Sequence, residues 1–145
     1  MRVDLPDLAA MGAFGARIAA VLRPGDVVAL NGDLGAGKTT LARGILKGAG
    51  HIGDVPSPTF TIIESYPDLA PPIVHADFYR LSDPSEVEEI GLDDYRADAA
   101  LLAEWPANAG GFAHEAACLS IKLETVGEGR IAIVEAGPAW QSRLP

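Results

Sequence analysis

From Asp7 to Leu22 the apolar residues Leu8, Met11, Phe14, Ile18 and Val21 return every three or four positions. That spacing sets one stripe of an α-helix against a core. Arg23-Pro24-Gly25-Asp26 breaks the pattern, and Val27-Val28-Ala29-Leu30 follows as a short apolar run with the character of a buried strand. A glycine-rich segment comes next. Lys38 to Lys47 then carries Leu41, Ile45 and Leu46 at helical spacing, with Gly48 as the expected C-terminal glycine.

Phe60 to Tyr66 and Ile73 to Tyr79 read as strands across a turn-rich spacer, residues 67–72, and are expected to pair as a hairpin. Asp83-Pro84-Ser85 opens a predicted acidic helix that reaches about Ile90, with Asp83 as its cap. Ala99 to Ala103 is an apolar run that ends on Glu104-Trp105-Pro106. In the last third, Leu119, Ile121 and Leu123 alternate with Ser120, Lys122 and Glu124, and a second alternating run covers residues 131–136. Two strands joined by Gly127-Glu128-Gly129 are predicted. No repeat or linker divides the chain, so residues 1–145 are read as a single α/β domain.

Composition narrows the possible functions. Apolar residues make up 48% and charged residues 21% of the 145 positions, which is the profile of a folded globular chain. Twenty acidic residues against eleven basic ones give a formal charge of −9, the opposite of the balance that phosphate-contacting nucleic-acid binders need. Cys118 is the sole cysteine and excludes an internal disulfide, so a reducing cytoplasm fits best. No apolar run approaches the ~20 residues that span a bilayer. Asp4, Asp7 and Arg17 interrupt the region where a secretory signal would need continuous apolarity, so the N-terminal stretch is read as part of the fold.

The chemistry concentrates in Gly32-Asp33-Leu34-Gly35-Ala36-Gly37-Lys38-Thr39, a full match to G-x-x-x-x-G-K-[ST] between a predicted strand and a predicted helix. Its glycines allow successive amides to turn inward around phosphate oxygens, and the following helix adds its positive end. Lys38 is expected at the β- and γ-phosphates and the Thr39 hydroxyl on Mg²⁺, with ATP as the nucleotide. A metal there needs carboxylates, and two acids end apolar strands: Asp77 after Ile73-Val74-His75-Ala76, and Glu104 after Leu101-Leu102-Ala103. Each is either an ordinary strand-end carboxylate or a group that holds metal-bound water or orients the attacking water. His75 reads as a packed or hydrogen-bonded histidine, Cys118 as a small buried hydrophobe, and Trp105 as core or a nucleotide cover.

Five segments together resemble the bacterial TsaE (YjeE) family. They are the loop through Thr40, Ser57-Pro58-Thr59-Phe60, His75-Ala76-Asp77-Phe78-Tyr79-Arg80-Leu81, Gly91-Leu92-Asp93-Asp94-Tyr95 and Glu104-Trp105-Pro106. The resemblance implies a single-domain P-loop NTPase with a central, mostly parallel sheet, helices on both faces and antiparallel edge strands. It implies nucleotide contacts from the loop, Asp33 to Thr40, and from Trp105. Asp77 and Glu104 would complete the Mg²⁺ and water site, and Thr59 would lie near the γ-phosphate in a switch-like segment. It further implies a Mg-dependent ATPase that works with TsaB and TsaD in making threonylcarbamoyladenosine in tRNA and meets tRNA only through those partners. Because no obvious arginine finger accompanies the loop, activity in isolation is expected to be slow. Two rivals remain at this stage. A small P-loop kinase would need a lid carrying several arginines, whereas Arg17, Arg23, Arg43, Arg80, Arg96 and Arg130 are scattered. A non-hydrolysing ATP-dependent adaptor is the other.

Overall fold

A computed structural model describes residues 1–56 and 62–145. The chain runs β1 (Arg2–Leu5), α1 (Leu8–Val21), β2 (Val27–Asn31), α2 (Lys38–Gly48), β3 (Ile63–Tyr66), β4 (Ile73–Asp77), α3 (Glu86–Glu89), α4 (Leu92–Arg96), β5 (Ala100–Glu104), β6 (Cys118–Val126) and β7 (Gly129–Ala136). Short 3₁₀ turns occupy Pro106–Ala109 and Pro138–Trp140. The strands form one sheet in the order β1-β7-β6-β2-β5-β4-β3.

The four central strands β6, β2, β5 and β4 are parallel, while the pairs β1–β7, β6–β7 and β3–β4 are antiparallel. The seven-stranded sheet is therefore mixed, with a parallel centre and antiparallel strands toward both edges, as the resemblance implies. Tight connections between β6 and β7 and between β3 and β4 can only reverse the chain, whereas the parallel neighbours are joined by longer crossovers. Strand β1, Arg2-Val3-Asp4-Leu5, alternates polar and apolar over only four residues; it pairs with β7, with Val3 opposite Ala132, and is too short to stand out as a local pattern.

Helices α1 and α2 cover one face. Met11, Phe14 and Ile18 are buried there with Leu41, Ile45 and Leu46 over the inward side chains Val28, Leu30, Leu102 and Ile121. The predicted stripe departs at its first position: Leu8 is 76% exposed, and Leu22, beyond the helix, fills the core instead. Asp7 caps α1, its Oδ1 accepting from Ala10 N at 2.8 Å. On the other face lie Phe78, Leu81, Leu92 of α4 and Phe112, over Val27, Ala29, Leu101 and Ala103.

The α1–α2 contact is a seam of small residues. A Cβ on Gly15 would fall 2.6 Å from the Gly44 carbonyl carbon, and one on Gly48 would fall 2.7 Å from Ala16 Cα. Gly48 is thus a packing residue inside the last turn of α2 and not the helix stop. The stop is Gly50, at φ 106°. His51 N donates to Leu46 O at 3.0 Å and Gly50 N to Lys47 O at 3.1 Å, the paired bonds of a left-handed helix terminus. The acidic helix is also shorter than expected, starting at Glu86. Asp83 accepts from Ser85 N at 2.9 Å, and Glu86 Oε1 turns back to the Ser82 hydroxyl at 2.7 Å, so the turn before the helix is tied by side chains. Among the described residues no helix is long and apolar enough to cross a membrane.

Candidate functional site

Parallel pairing fixes where the chemistry gathers. Leu30 of β2 and Asp77 of β4 both stand opposite Glu104 of β5, so the ends of three strands meet at the carboxyl edge of the sheet, where open α/β sheets place their ligand sites. The glycine loop leaves β2 at that edge. Gly32 has φ 142°, and a Cβ on it would meet Leu123 O at 2.7 Å, so only glycine lets the loop start this close to β6.

Within the loop, Ala36 N donates to Asp33 O at 3.0 Å and Leu41 N to Gly37 O at 2.8 Å. The amides of Gly35, Gly37, Lys38, Thr39 and Thr40 donate to nothing among the described residues. Several N–H groups at the start of an eleven-residue helix are thereby left facing one space, the arrangement that suits an oxyanion. Lys38 folds over the loop, its Nζ donating to Gly32 O at 2.7 Å and Asp33 O at 2.8 Å, and lies 4.3 Å above the Trp105 ring. Burial draws the Lys38 ammonium below its ordinary pKa, against the opposing pull of the Glu104, Asp77 and Asp33 carboxylates.

Glu104 is buried and uses both oxygens. Oε1 accepts from the Thr39 hydroxyl at 2.8 Å and Oε2 faces His75 Nε2 at 2.7 Å. A carboxylate only accepts, which makes Nε2 the donor nitrogen of the His75 ring. His75 is itself fully buried, and its Nδ1 has no partner among the described residues. Asp77 Oδ1 accepts from Tyr79 N at 2.9 Å. Trp105 takes a left-handed backbone, φ 55° and ψ 51°, a conformation that costs a non-glycine residue roughly 1–3 kcal/mol. Asn108 secures the following turn by donating to Phe78 O at 3.1 Å and Tyr79 O at 3.3 Å, and the Tyr79 and Trp105 rings stand 5.0 Å apart.

A cavity of about 310 Å³ is lined by Leu34, Gly35, Gly37, Lys38, Thr39, Thr40, Asp77, Tyr79, Glu104 and Trp105. Most of the residues singled out in the sequence therefore share one space. Asp33 and Ala36 line a second cavity on the β6 side of the loop, with Lys122 and Glu124. Thr59 and the rest of Ser57-Pro58-Thr59-Phe60 lie outside the described residues. Tyr79, Asn108 and Arg130 went unassigned in the sequence. Tyr79 sits two residues after Asp77, within reach of a motif reading, but Asn108 and Arg130 arrive from distant segments with no local signature. The Thr39 hydroxyl and the Asp77 and Glu104 carboxylates offer oxygen alone, the donor chemistry that suits Mg²⁺. Among the described residues there is no cluster of three His, Cys, Asp or Glu side chains that could hold a metal by themselves, so a cation here would lean on ligand oxygens as well.

Comparison with known proteins agrees with this architecture. The family model for "Threonylcarbamoyl adenosine biosynthesis protein TsaE" matches residues 5–132. A Haemophilus influenzae protein named tRNA threonylcarbamoyladenosine biosynthesis protein TsaE is 46% identical over 118 residues, which cover 77% of this chain and 75% of that protein. The protein of the same name from Streptomyces coelicolor is 49% identical over 98 residues, 66% of each chain. The crystal structure of YdiB from Bacillus subtilis superposes with a TM-score of 0.80 at 31% identity, covering 98% of this chain and 89% of that one. With 128 consecutive positions inside the family model and the sheet shared with a solved structure, the chain belongs to the TsaE family.

Proposed function

We propose that this chain is the Mg-dependent ATPase of tRNA threonylcarbamoyladenosine biosynthesis, a P-loop hydrolase of the cytoplasm that acts with TsaB and TsaD. The biosynthetic role comes with TsaE membership. The ATPase chemistry rests on one observation: Lys38, Thr39, Asp77 and Glu104 line a single cavity at the mouth of unpaired loop amides.

In this reading the amides from Gly35 to Thr40 receive the phosphates of ATP, and Lys38 exchanges its two carbonyl acceptors for phosphate oxygens. Thr39, Asp77 and Glu104 are the groups that would hold Mg²⁺ directly or through water; when bound, it supplies positive charge to the phosphate oxygens. Glu104, gripped on both oxygens, keeps the Thr39 hydroxyl in place. Asp77, anchored by Tyr79 N–H, is the carboxylate assigned to the attacking water. Trp105 walls the nucleotide on the strand-end side, and Thr59 approaches the γ-phosphate. An arginine finger can be worth ~10³ or more in rate. No arginine is assigned to the γ-phosphate here, so turnover by the isolated chain is slow, and ATP hydrolysis resets the partner complex between turnovers. With a net charge of −9, tRNA is handled by the partners.

The test is synthesis of modified tRNA reconstituted from TsaB, TsaD and ATP, with and without this chain. Stimulation over many turnovers, lost in Lys38→Ala together with ATP binding and reduced in Glu104→Ala with binding retained, is the expected outcome. Undiminished ATP affinity in Lys38→Ala refutes the site. Phosphate passed to a small alcohol would mark a kinase instead, and stimulation without hydrolysis an adaptor.

A further inference from the structure

Arg130 reaches the glycine loop from β7, two strands away from β2, at the same carboxyl edge of the sheet. It stands at the start of β7, one residue past the β6–β7 turn. Its Nε donates to Ala36 O at 2.9 Å and its Nη2 to Gly35 O at 3.3 Å. Its Nη1 donates to Gly129 O at 2.9 Å and Glu128 O at 3.5 Å. Every nitrogen of the guanidinium is thus committed to a main-chain carbonyl, and two of those carbonyls belong to the loop some ninety residues earlier in the chain.

In a trans peptide the C=O and the next N–H point in opposite directions across one rigid plane. Holding the Ala36 carbonyl against Arg130 therefore turns the Gly37 N–H to the opposite side. That N–H has no acceptor among the described residues, and Gly37 lines the 310 Å³ cavity with Lys38 and Thr39. Holding the Gly35 carbonyl in the same way directs the Ala36 N–H toward Asp33 O, 3.0 Å away, which closes the turn. Lys38 holds the Gly32 and Asp33 carbonyls. The two cations grip successive halves of the loop from different sides, but only Lys38 lines that cavity. Gly35 and Gly37 both have positive φ, 79° and 107°, and a glycine-rich stretch without such fastening samples many backbone states.

We propose that Arg130 is a positioning residue for nucleotide binding, a clasp on the outside of the loop that presets the Gly37 amide toward the phosphates without touching them. The inference rests on the nucleotide reading of the site. It goes beyond that reading by placing a determinant of affinity on the β6–β7 hairpin, outside the cavity. The interaction is charge-assisted and forked, so an ammonium at the same place cannot reproduce it.

Three proteins decide the matter: the parent, Arg130→Lys and Arg130→Ala. Dissociation constants for ADP and ATP are read by calorimetry, hydrolysis by single-turnover assay at saturating ATP, thermal midpoints by circular dichroism, and loop amides by ¹⁵N–¹H correlation spectra without nucleotide. The Ala variant is expected to bind both nucleotides about tenfold more weakly, the loss of one charge-assisted contact. It should lose affinity by a larger factor than it loses single-turnover rate at saturating ATP, and show displaced Gly37 and Lys38 amide resonances. The Lys variant should recover less than half of that loss on a logarithmic scale. Full recovery by Lys would make the effect one of charge alone and overturn the clasp, as would parental affinity in Arg130→Ala or unmoved amide signals. A parent that binds neither nucleotide would overturn the site itself, a result distinct from any difference among the variants.

Discussion

Lys38 and Cys118 show how burial acts on single side chains at opposite ends of the sheet. The Lys38 ammonium keeps three carboxylates nearby, so burial lowers its pKa only against their resistance. Cys118 is 3% exposed at the start of β6, and burial pushes its thiol up to about 11, with Glu115 adding to the effect and Arg96 opposing it. The unfolded thiol ionises near its ordinary value of 9.0. Between that value and about 11 the native state therefore holds the proton that the unfolded chain releases, and stability falls as pH rises. Below 9.0 the contribution is fully present. The urea midpoint is expected to drop over this interval by less in Cys118→Ala than in the parent, and thiol labelling at pH 8 should be slow until the chain is unfolded. The sequence shows the kind of group at such positions and little of its partners. Lys38 and Thr39 are legible because their motif is contiguous. Glu104's grip on Thr39, and His75 behind it, depend on strand registry, which no local pattern carries.

Among the elements, the α1–α2 seam separates two kinds of glycine that look alike in the sequence. A Cβ at Gly12 meets nothing within 4 Å, whereas at Gly48 it lies 2.7 Å from Ala16 Cα. Gly12→Ala is expected to stabilise the fold by about 0.5–1 kcal/mol through helix propensity. Gly48→Ala should cost about 1–3 kcal/mol by forcing the helices apart. Paired thermal or urea unfolding curves with the same sign for both variants would contradict the seam. The β2–loop–α2 unit and the β6–β7 hairpin were legible because each declares itself within about twenty residues through periodicity and turn residues. Strand β1 was not, since Arg2–Leu5 becomes a strand only by pairing with β7. The parallel centre and antiparallel edges of the sheet likewise follow from strand order, which sequence periodicity leaves open.

Across the whole molecule, the C-terminal segment closes the edge of the sheet opposite the site. Arg143 forms a buried pair with Asp26, both contacts 2.6 Å, and also donates to Val21 O at 2.9 Å and Ala139 O at 3.0 Å. Its guanidinium carbon lies 4.1 Å from the Trp140 ring centre. Removing one partner of a buried pair leaves the other charge stranded, so Arg143→Ala is expected to cost about 3–5 kcal/mol. A chemical-denaturation curve tests this, and a loss under 1 kcal/mol would show that the pair contributes little. Nothing in residues 138–145 announces the role, because the partner carboxylate lies more than a hundred positions upstream.

The same arrangement gives the protein two indoles in unlike surroundings. Trp140 is fully enclosed, its Nε1 donating to Ala117 O at 2.7 Å, while Trp105 carries the Lys38 ammonium on its face at the other edge of the sheet. Emission from Trp140 thus forms a constant background. Light from Trp105 tracks wherever that ammonium goes, so the protein contains its own optical gauge of the loop.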